Sequence, residues 1–505
     1  MTKTATSSRA VCLSVLGTGS DVGKSVVVTA VCRFLANQGL HVAPYKAQNM
    51  SNNSGVTPEG LEMGRAQIVQ AEAARVVPHV DMNPILLKPT SEVGSQVVVL
   101  GKALSNQTAA DYHRQKHTLW QTACRALDRL RSTCDVVVME GAGSCAEVNL
   151  MDHDLVNLSM AAYADAPVIL VGDIHRGGIF AQMVGTLACL SPEDARRIRA
   201  LLVNRFRGDI ALFSDGVDWL RRRTGRPVLG VLPWFDHIRI EAEDSVVIEK
   251  PRQPLPASAE GPCIAVVRLP HISNFTDFAP LEDVDGLQVI YLQDPQDLSG
   301  FAAVILPGSK NTRFDLAWLQ RSGWQKRLKV YQRSGGHLLG ICGGYQMMGR
   351  SVADPDGLEG RPGTSDGLDL LPVETVLQAP KTTTVTAFSW GESAGSGYEI
   401  HMGRTRLLGG QPLLAVHRRN GAACAETDGC LDPEGRAMGT YLHGFFDNPH
   451  ITRKWLSAIG LSRLAVNGQA GPAFRDRQYD LLAEHFAEHV DTDLIQRLLH
   501  EGKRS

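Results

Sequence analysis

The chain has no Cys-x-x-Cys pair, although it carries ten cysteines in 505 residues. Zinc ribbons need such pairs, and disulfide scaffolds need cysteines at dense, regular spacing. Neither is expected, and a reducing compartment fits. No apolar run is long enough to cross a bilayer, so no membrane association is expected. Residues 1–10 are polar and lack an apolar signal core, which makes the cytoplasm the expected location. A large excess of one charge is also missing. A formal net charge of -2 speaks against a nucleic-acid partner held by bulk electrostatics. There is no internal repeat. The apolar share of 43% and charged share of 21% are ordinary for a globular protein. The length calls for about two to four domains.

The most informative stretch is 338–346, Leu-Leu-Gly-Ile-Cys-Gly-Gly-Tyr-Gln. An apolar run stops at Cys342 and two glycines follow. This predicts a strand, a sharp turn and a helix, with the sulfur at the corner. Glycines suit such a turn because a side chain there clashes or needs an unfavourable positive φ. The helix N-terminus favours a thiolate, and N–H groups of the turn can receive an oxyanion. Far downstream, Gly-Thr-Tyr-Leu-His-Gly at 439–444 ends a second apolar run in His443. A Cys and a distant His at predicted strand ends suit a nucleophile and its base. A buried structural cysteine beside an unrelated histidine is the alternative.

At the start of the chain, the predicted strand 11–16 runs into Gly-Thr-Gly-Ser-Asp-Val-Gly-Lys-Ser at 17–25, then into a helix to about 37. Gly17, Gly23, Lys24 and Ser25 form a candidate phosphate cradle. Backbone N–H groups face phosphate, Lys24 neutralises charge and the Ser25 hydroxyl can bind Mg²⁺. Five positions separate Gly17 from Gly23, one more than in the common form. A glycine turn without a ligand is the bland reading.

Several predicted strands then end in polar groups, as ligand-facing strands of an open α/β sheet do. After 42–45 comes the amide-rich 46–53, Lys-Ala-Gln-Asn-Met-Ser-Asn-Asn, either a polar-ligand surface or a solvated loop. After 135–139 comes Glu140, which can share Mg²⁺ with Ser25 or face water. Asp173 and Arg176 follow 167–172, and Arg176 can hold a carboxylate or phosphate. Asn204 follows 201–203, suited to reading an adenine edge or to capping. Strands alternating with helices to about 232 predict a parallel, doubly wound sheet.

Residues 251–262 hold four prolines and read as an extended linker. Strands resume at 263–269, 287–292 and 302–306. Pro-Gly-Ser-Lys at 307–310 offers free N–H groups, with Gly308 a candidate oxyanion site. Residues 397–403 form a further strand end, and 475–499 an amphipathic helix. The expected boundaries are 1–250, 251–262 as the linker, 263–460, and 461–505 as a helical tail. Residues 485–489 match a zinc-peptidase pattern, and His113 and His117 repeat its spacing. Both pairs are expected to be helix faces, not metal ligands.

Together these motifs resemble the cobyric acid synthase family, glutamine-dependent amidases of the cobalamin pathway, over nearly the whole length. The stretches that carry the resemblance are 46–53, 140–144, 173–178, 204–209, 306–310, 340–346, 397–403 and 439–444. The first half is similar to dethiobiotin synthetase, whose phosphate loop has the same longer spacing. That likeness implies metal at Ser25 and Glu140 and adenine at Asn204. The second half resembles a class I glutamine amidotransferase domain, whose C-x-G-x-Q element maps onto Cys342, Gly344 and Gln346. It implies a glutamine pocket that includes Gly308, Gly343, Gly344 and Gln346. The family resemblance thus implies an ATP-binding amide synthase domain in 1–250 and a glutamine amidotransferase domain in 263–460.

The resemblance further implies ATP, Mg²⁺, L-glutamine and a corrinoid substrate, adenosylcobyrinic acid a,c-diamide, amidated in turn at four carboxylates. Lys46, Gln48, Asn49, Asp173 and Arg176 are the substrate-side candidates. Two alternatives are a cobyrinic acid a,c-diamide synthase and a ParA-like partitioning ATPase. The segment 46–53 disfavours the first; the absence of a lysine near the start of the phosphate loop disfavours the second. Two departures stand out. The usual triad has a carboxylate two positions after the histidine, but Phe445 is there, with Asp447 two further on; the third member is unassigned. Cys145 stands where proline is expected, and a thiol beside a nucleotide is open to oxidation.

Overall fold

The protein is described from a computed structural model covering residues 9–91, 94–241, 261–466 and 471–502. The first half is built on a six-stranded, all-parallel sheet. Its spatial order is Val228–Pro233, Ile198–Phe206, Val168–Asp173, Val11–Gly17, Val136–Glu140, Val42–Tyr45. Val11–Gly17 and Val136–Glu140 are buried at every position. That is why they read as continuous apolar runs: helices cover both faces of such a sheet. Val11–Gly17 is central. Its neighbour on one side ends at Glu140 and on the other at Asp173. The phosphate loop, Glu140 and Asp173 therefore converge at the carboxyl edge of the sheet, where open α/β folds bind ligands.

The second half has its own parallel sheet. Gln288–Leu292, Cys263–Val267, Ala303–Leu306, His337–Ile341 and Ala437–Thr440 lie side by side, and Cys430–Leu431 adds an antiparallel edge. A separate five-stranded antiparallel sheet includes Thr382–Trp390, Ser393–His401 and the short Leu442–His443. His337–Ile341 pairs with Ala437–Thr440, which brings the ends of the Cys342 and His443 strands together. Residues 251–260 of the expected linker lie outside the described residues.

The tail differs from a single amphipathic helix. It is two, Pro472–His489 and Thr492–Glu501. Val490 breaks them in extended conformation and bridges to Gly230, on the edge strand of the first sheet. The Asp491 side chain then caps the second helix by accepting from Leu494 N–H. Both helices return to the first half. Leu482, Phe486, Ile495 and Leu498 join the core formed by Leu13, Val28 and Val31. The buried Arg33 donates Nε to Asp480 at 2.8 Å and pairs with Asp476.

Candidate active site

The thiol corner is built as the sequence predicts. His337–Ile341 delivers Cys342, and the helix Gly343–Met348 begins directly after it. Cys342 itself has φ 53° and ψ −110°. A non-glycine residue held there stores about 1–3 kcal/mol of backbone strain, a device found at nucleophile turns. A side chain at Gly344 is impossible: its Cβ would lie 1.9 Å from the Leu306 carbonyl oxygen. This close approach seats the helix against the strand that leads to Gly308. Gly308–Ser309 pairs with Ile272–Ser273, and Gly308 lies against the His443 ring.

Cys342 is buried, its Sγ donates to Ile400 O at 3.6 Å, and it is one of the groups that favour the charged form of His443. His443 Nδ1 meets Asp277 Oδ2 at 2.7 Å, and Asp277 Oδ1 accepts from Gly444 N–H at 3.0 Å. Burial disfavours the imidazolium, but the Asp277 carboxylate and Cys342 more than offset it and raise the His443 pKa to about 10. Tyr398 stacks on the ring at 5.3 Å. A nucleophile, a base and an orienting carboxylate need this arrangement.

Asp277 is the member that the sequence does not reveal. It sits in the single turn Phe275–Phe278, far upstream of the histidine and outside every recognised motif. Phe445, in the usual carboxylate position, is fully buried and stacks with Phe388. Asp447 is near Arg475 instead, at 3.8 Å. Gln346, expected to contact glutamine, is a buried strut. Its Nε2 donates to Met402 O at 2.9 Å and Tyr441 Oη at 3.1 Å, and its Oε1 accepts from Thr312 at 3.1 Å. Two amide hydrogens are all it has, and both are used.

In the first half a cavity of about 1320 Å³ is lined by Ser20, Lys24, Ser25, Lys46, Gln48 and Asn49, among others. Gly23, with φ 92°, caps the helix Lys24–Asn37, and a Cβ there would strike Asn204 at 2.2 Å. Asn204 is thereby fixed against the loop, its Nδ2 donating to Val22 O at 2.9 Å. Lys24 Nζ donates to Gly19 O at 3.0 Å and Gly143 O at 2.9 Å, so it bridges the loop and the turn after Glu140. Ser25 Oγ donates to Glu140 Oε1 at 2.8 Å. Lys46, expected on the substrate side, pairs with the same carboxylate at 2.8 Å. Asp173 does not stand free: it accepts from His175 N–H at 2.8 Å and from Arg205 at 3.0 Å. Asp21 takes both Arg176 and Arg205.

Ser25 and Glu140 are hard oxygen donors beside the phosphate loop, a donor set that fits Mg²⁺. Among the described residues no group of three or more His, Cys, Asp or Glu could cage a metal. An ion held mainly by two protein oxygens, water and phosphate is what Mg²⁺ prefers. His485 and His489 bond to backbone carbonyls of Pro233 and His485. Burial pushes the Cys145 thiol up to about 12, which makes it unreactive.

Family models match both halves. Residues 13–247 match the CobQ/CobB/MinD/ParA nucleotide binding domain, and 263–451 the CobB/CobQ-like glutamine amidotransferase domain. The cobyric acid synthase of Chlorobium phaeobacteroides (strain BS1) is 52% identical, over 97% of this chain and 99% of its own. The chain belongs to the cobyric acid synthase family. Members from Chlorobaculum tepidum and Syntrophobacter fumaroxidans are 51% and 48% identical, each over 96% of this chain and at least 97% of their own. As a cobyric acid synthase family member the chain is an ATP-dependent amide-forming ligase that takes nitrogen from glutamine. Among the described residues no helix is long and apolar enough to cross a membrane.

Proposed function

We propose that the chain amidates the b, d, e and g carboxylates of adenosylcobyrinic acid a,c-diamide and so makes adenosylcobyric acid. The observation that carries this reading is the pairing of two sites in one chain: Cys342 with His443 and Asp277, and Lys24 and Ser25 facing a cavity of about 1320 Å³.

In the second half the Cys342 sulfur attacks the side-chain carbonyl carbon of glutamine. His443, held charged beside the sulfur, gives its proton to the departing ammonia. The resulting glutamyl thioester is hydrolysed by water, which loses a proton to His443 and frees the sulfur. N–H groups near Gly308 and Gly343 receive the oxyanion, each typically contributing about 3 kcal/mol.

A carboxylate resists ammonia because it is charged and has no good leaving group. In the first half a substrate carboxylate oxygen attacks the γ-phosphorus of ATP and ADP departs. Ammonia then attacks the acyl carbon, and phosphate leaves. Lys24 and the loop N–H groups stabilise charge on the transferred phosphoryl group. Mg²⁺, held at Ser25 and Glu140, supplies further charge neutralisation when bound. Arg205, Gln48 and Asn49 line the cavity and Arg176 shares Asp21 with Arg205, which supports reading them as polar contacts for substrate.

Mass spectrometry of the corrinoid after incubation with ATP, Mg²⁺ and glutamine tests the reading. Four successive carboxylate-to-amide mass steps on the a,c-diamide are expected. Amidation of cobyrinic acid alone, with the diamide untouched, would assign the a,c-diamide synthase reaction instead.

A further inference from the structure

Asn274 touches both the Asp277 turn and the synthetase half. Its side chain binds Ser54 by two prongs. Oδ1 accepts from Ser54 N–H at 3.1 Å, and Nδ2 donates to Ser54 O at 3.1 Å. The second Nδ2 hydrogen goes to the Tyr398 hydroxyl at 3.2 Å, and Tyr398 stacks on His443. The Asn274 carbonyl accepts from Asp277 N–H at 3.0 Å, closing the turn that carries the triad carboxylate. The preceding residue, Ser273, pairs with Gly308. Thus one buried amide reaches the turn of Asp277, the ring on His443 and the oxyanion strand.

The residue type is dictated by these contacts. A primary amide offers an acceptor and two donors on separate atoms, so it meets the Ser54 N–H and C=O at once and keeps a hydrogen for Tyr398. Asn274 also has φ 51°, a left-handed conformation that asparagine tolerates better than most residues. On the far side, Ser54 lies in Ser54–Val56, a few residues after Gln48–Met50, which lines the nucleotide-side cavity. Ser54 Oγ also donates to Glu62 at 2.8 Å and accepts from Lys88 at 2.7 Å, so its position is tied to a buried ion pair. A shift in the cavity wall therefore reaches Asp277 through a short path of backbone and hydrogen bonds.

We propose that Asn274 is a positioning residue through which ligands in the synthetase cavity set the glutaminase triad. The proposal rests on the function argued above. The test measures glutamate release with and without ATP plus cobyrinic diamide, and amidation driven by glutamine or by ammonium. Asn274→Gly keeps the left-handed backbone and removes the clamp; Asn274→Asp keeps the shape and cannot donate to Ser54 O or Tyr398. In the wild type, ATP and corrinoid raise glutamate release. In both variants that response is lost and glutamine-driven amidation falls about tenfold, the size of an ordinary coupling energy. Ammonium-driven amidation stays at the wild-type rate. A wild-type response in either variant, or no response in the wild type, overturns the proposal. Loss of ammonium-driven amidation in both variants also overturns it, since Asn274 is then a plain structural strut. Failure of the wild type to amidate the corrinoid with either nitrogen source would instead overturn the proposed function.

Discussion

Nδ1 of His443 lies 2.7 Å from Oδ2 of Asp277, although 166 residues separate the two in sequence. Asp277 fixes which ring nitrogen faces Cys342 and holds the ring charged. Asp277→Asn should lower glutamine-driven amidation by about 100-fold, the scale of a general acid–base contribution, and leave ammonium-driven amidation intact. The pH profile should move too. With Asp277, His443 stays protonated to about pH 10. Without it, burial dominates and the ring loses its proton at lower pH. The alkaline limb of kcat/KM for glutamate release should therefore shift down. An unmoved limb would remove Asp277 from the triad.

The same pair makes stability depend on pH. His443 has a folded pKa raised from 6.5 to about 10. The stabilisation is fully present below about pH 6.5 and is lost as pH rises toward about 10. Thermal melts of wild type and Asp277→Asn should differ most at pH 6 and converge by about pH 10. A gap that widens with pH would contradict this.

Cys342→Ser should abolish glutamate release and glutamine-driven amidation. Ammonium-driven amidation should survive, because the proposed acyl phosphate forms in the other half. Losing both with an intact melt would refute the division between the two sites.

The sequence showed Cys342 and His443 because each ends an apolar strand beside glycines, and turn geometry leaves few other choices. It showed the phosphate loop for the same reason. It did not show Asp277, since a carboxylate can reach an imidazole from any segment and leaves no local pattern. Phe445 and Asp447 drew attention because they follow His443, but packing against Phe388 and pairing with Arg475 explain them. Lys46 is a substrate-side candidate in the sequence; its partner Glu140 is on the neighbouring strand, a relation that only the sheet order supplies. Gln346 was read as facing glutamine, and only the coordinates reveal its three protein partners.

Ser25 donates to Glu140 beside the phosphate loop, so its hydroxyl and that carboxylate form one oxygen face. Ser25→Ala should slow amidation with either nitrogen source by about 100-fold, the cost typical of a misplaced reacting group. Glutamate release without ATP should be unaffected. Added Mg²⁺ should restore part of the lost rate if the hydroxyl serves as a metal ligand. A rate insensitive to Mg²⁺ would limit Ser25 to orienting Glu140.

The tail offers a sharper test of how the chain is divided. Its last helix, Thr492–Glu501, buries Ile495 fully in the core of the first half, against the strand and helix that flank the phosphate loop. Ile495→Ala removes three carbons there and leaves a cavity, at a cost of about 2–5 kcal/mol. A nucleotide binds the folded first half and raises its unfolding temperature. The substitution should lower that same ATP-responsive transition and spare glutamate release measured at low temperature. If the transition that ATP does not move were the one lowered, the tail would be stabilising the glutaminase half, and its packing on the first sheet would be wrong.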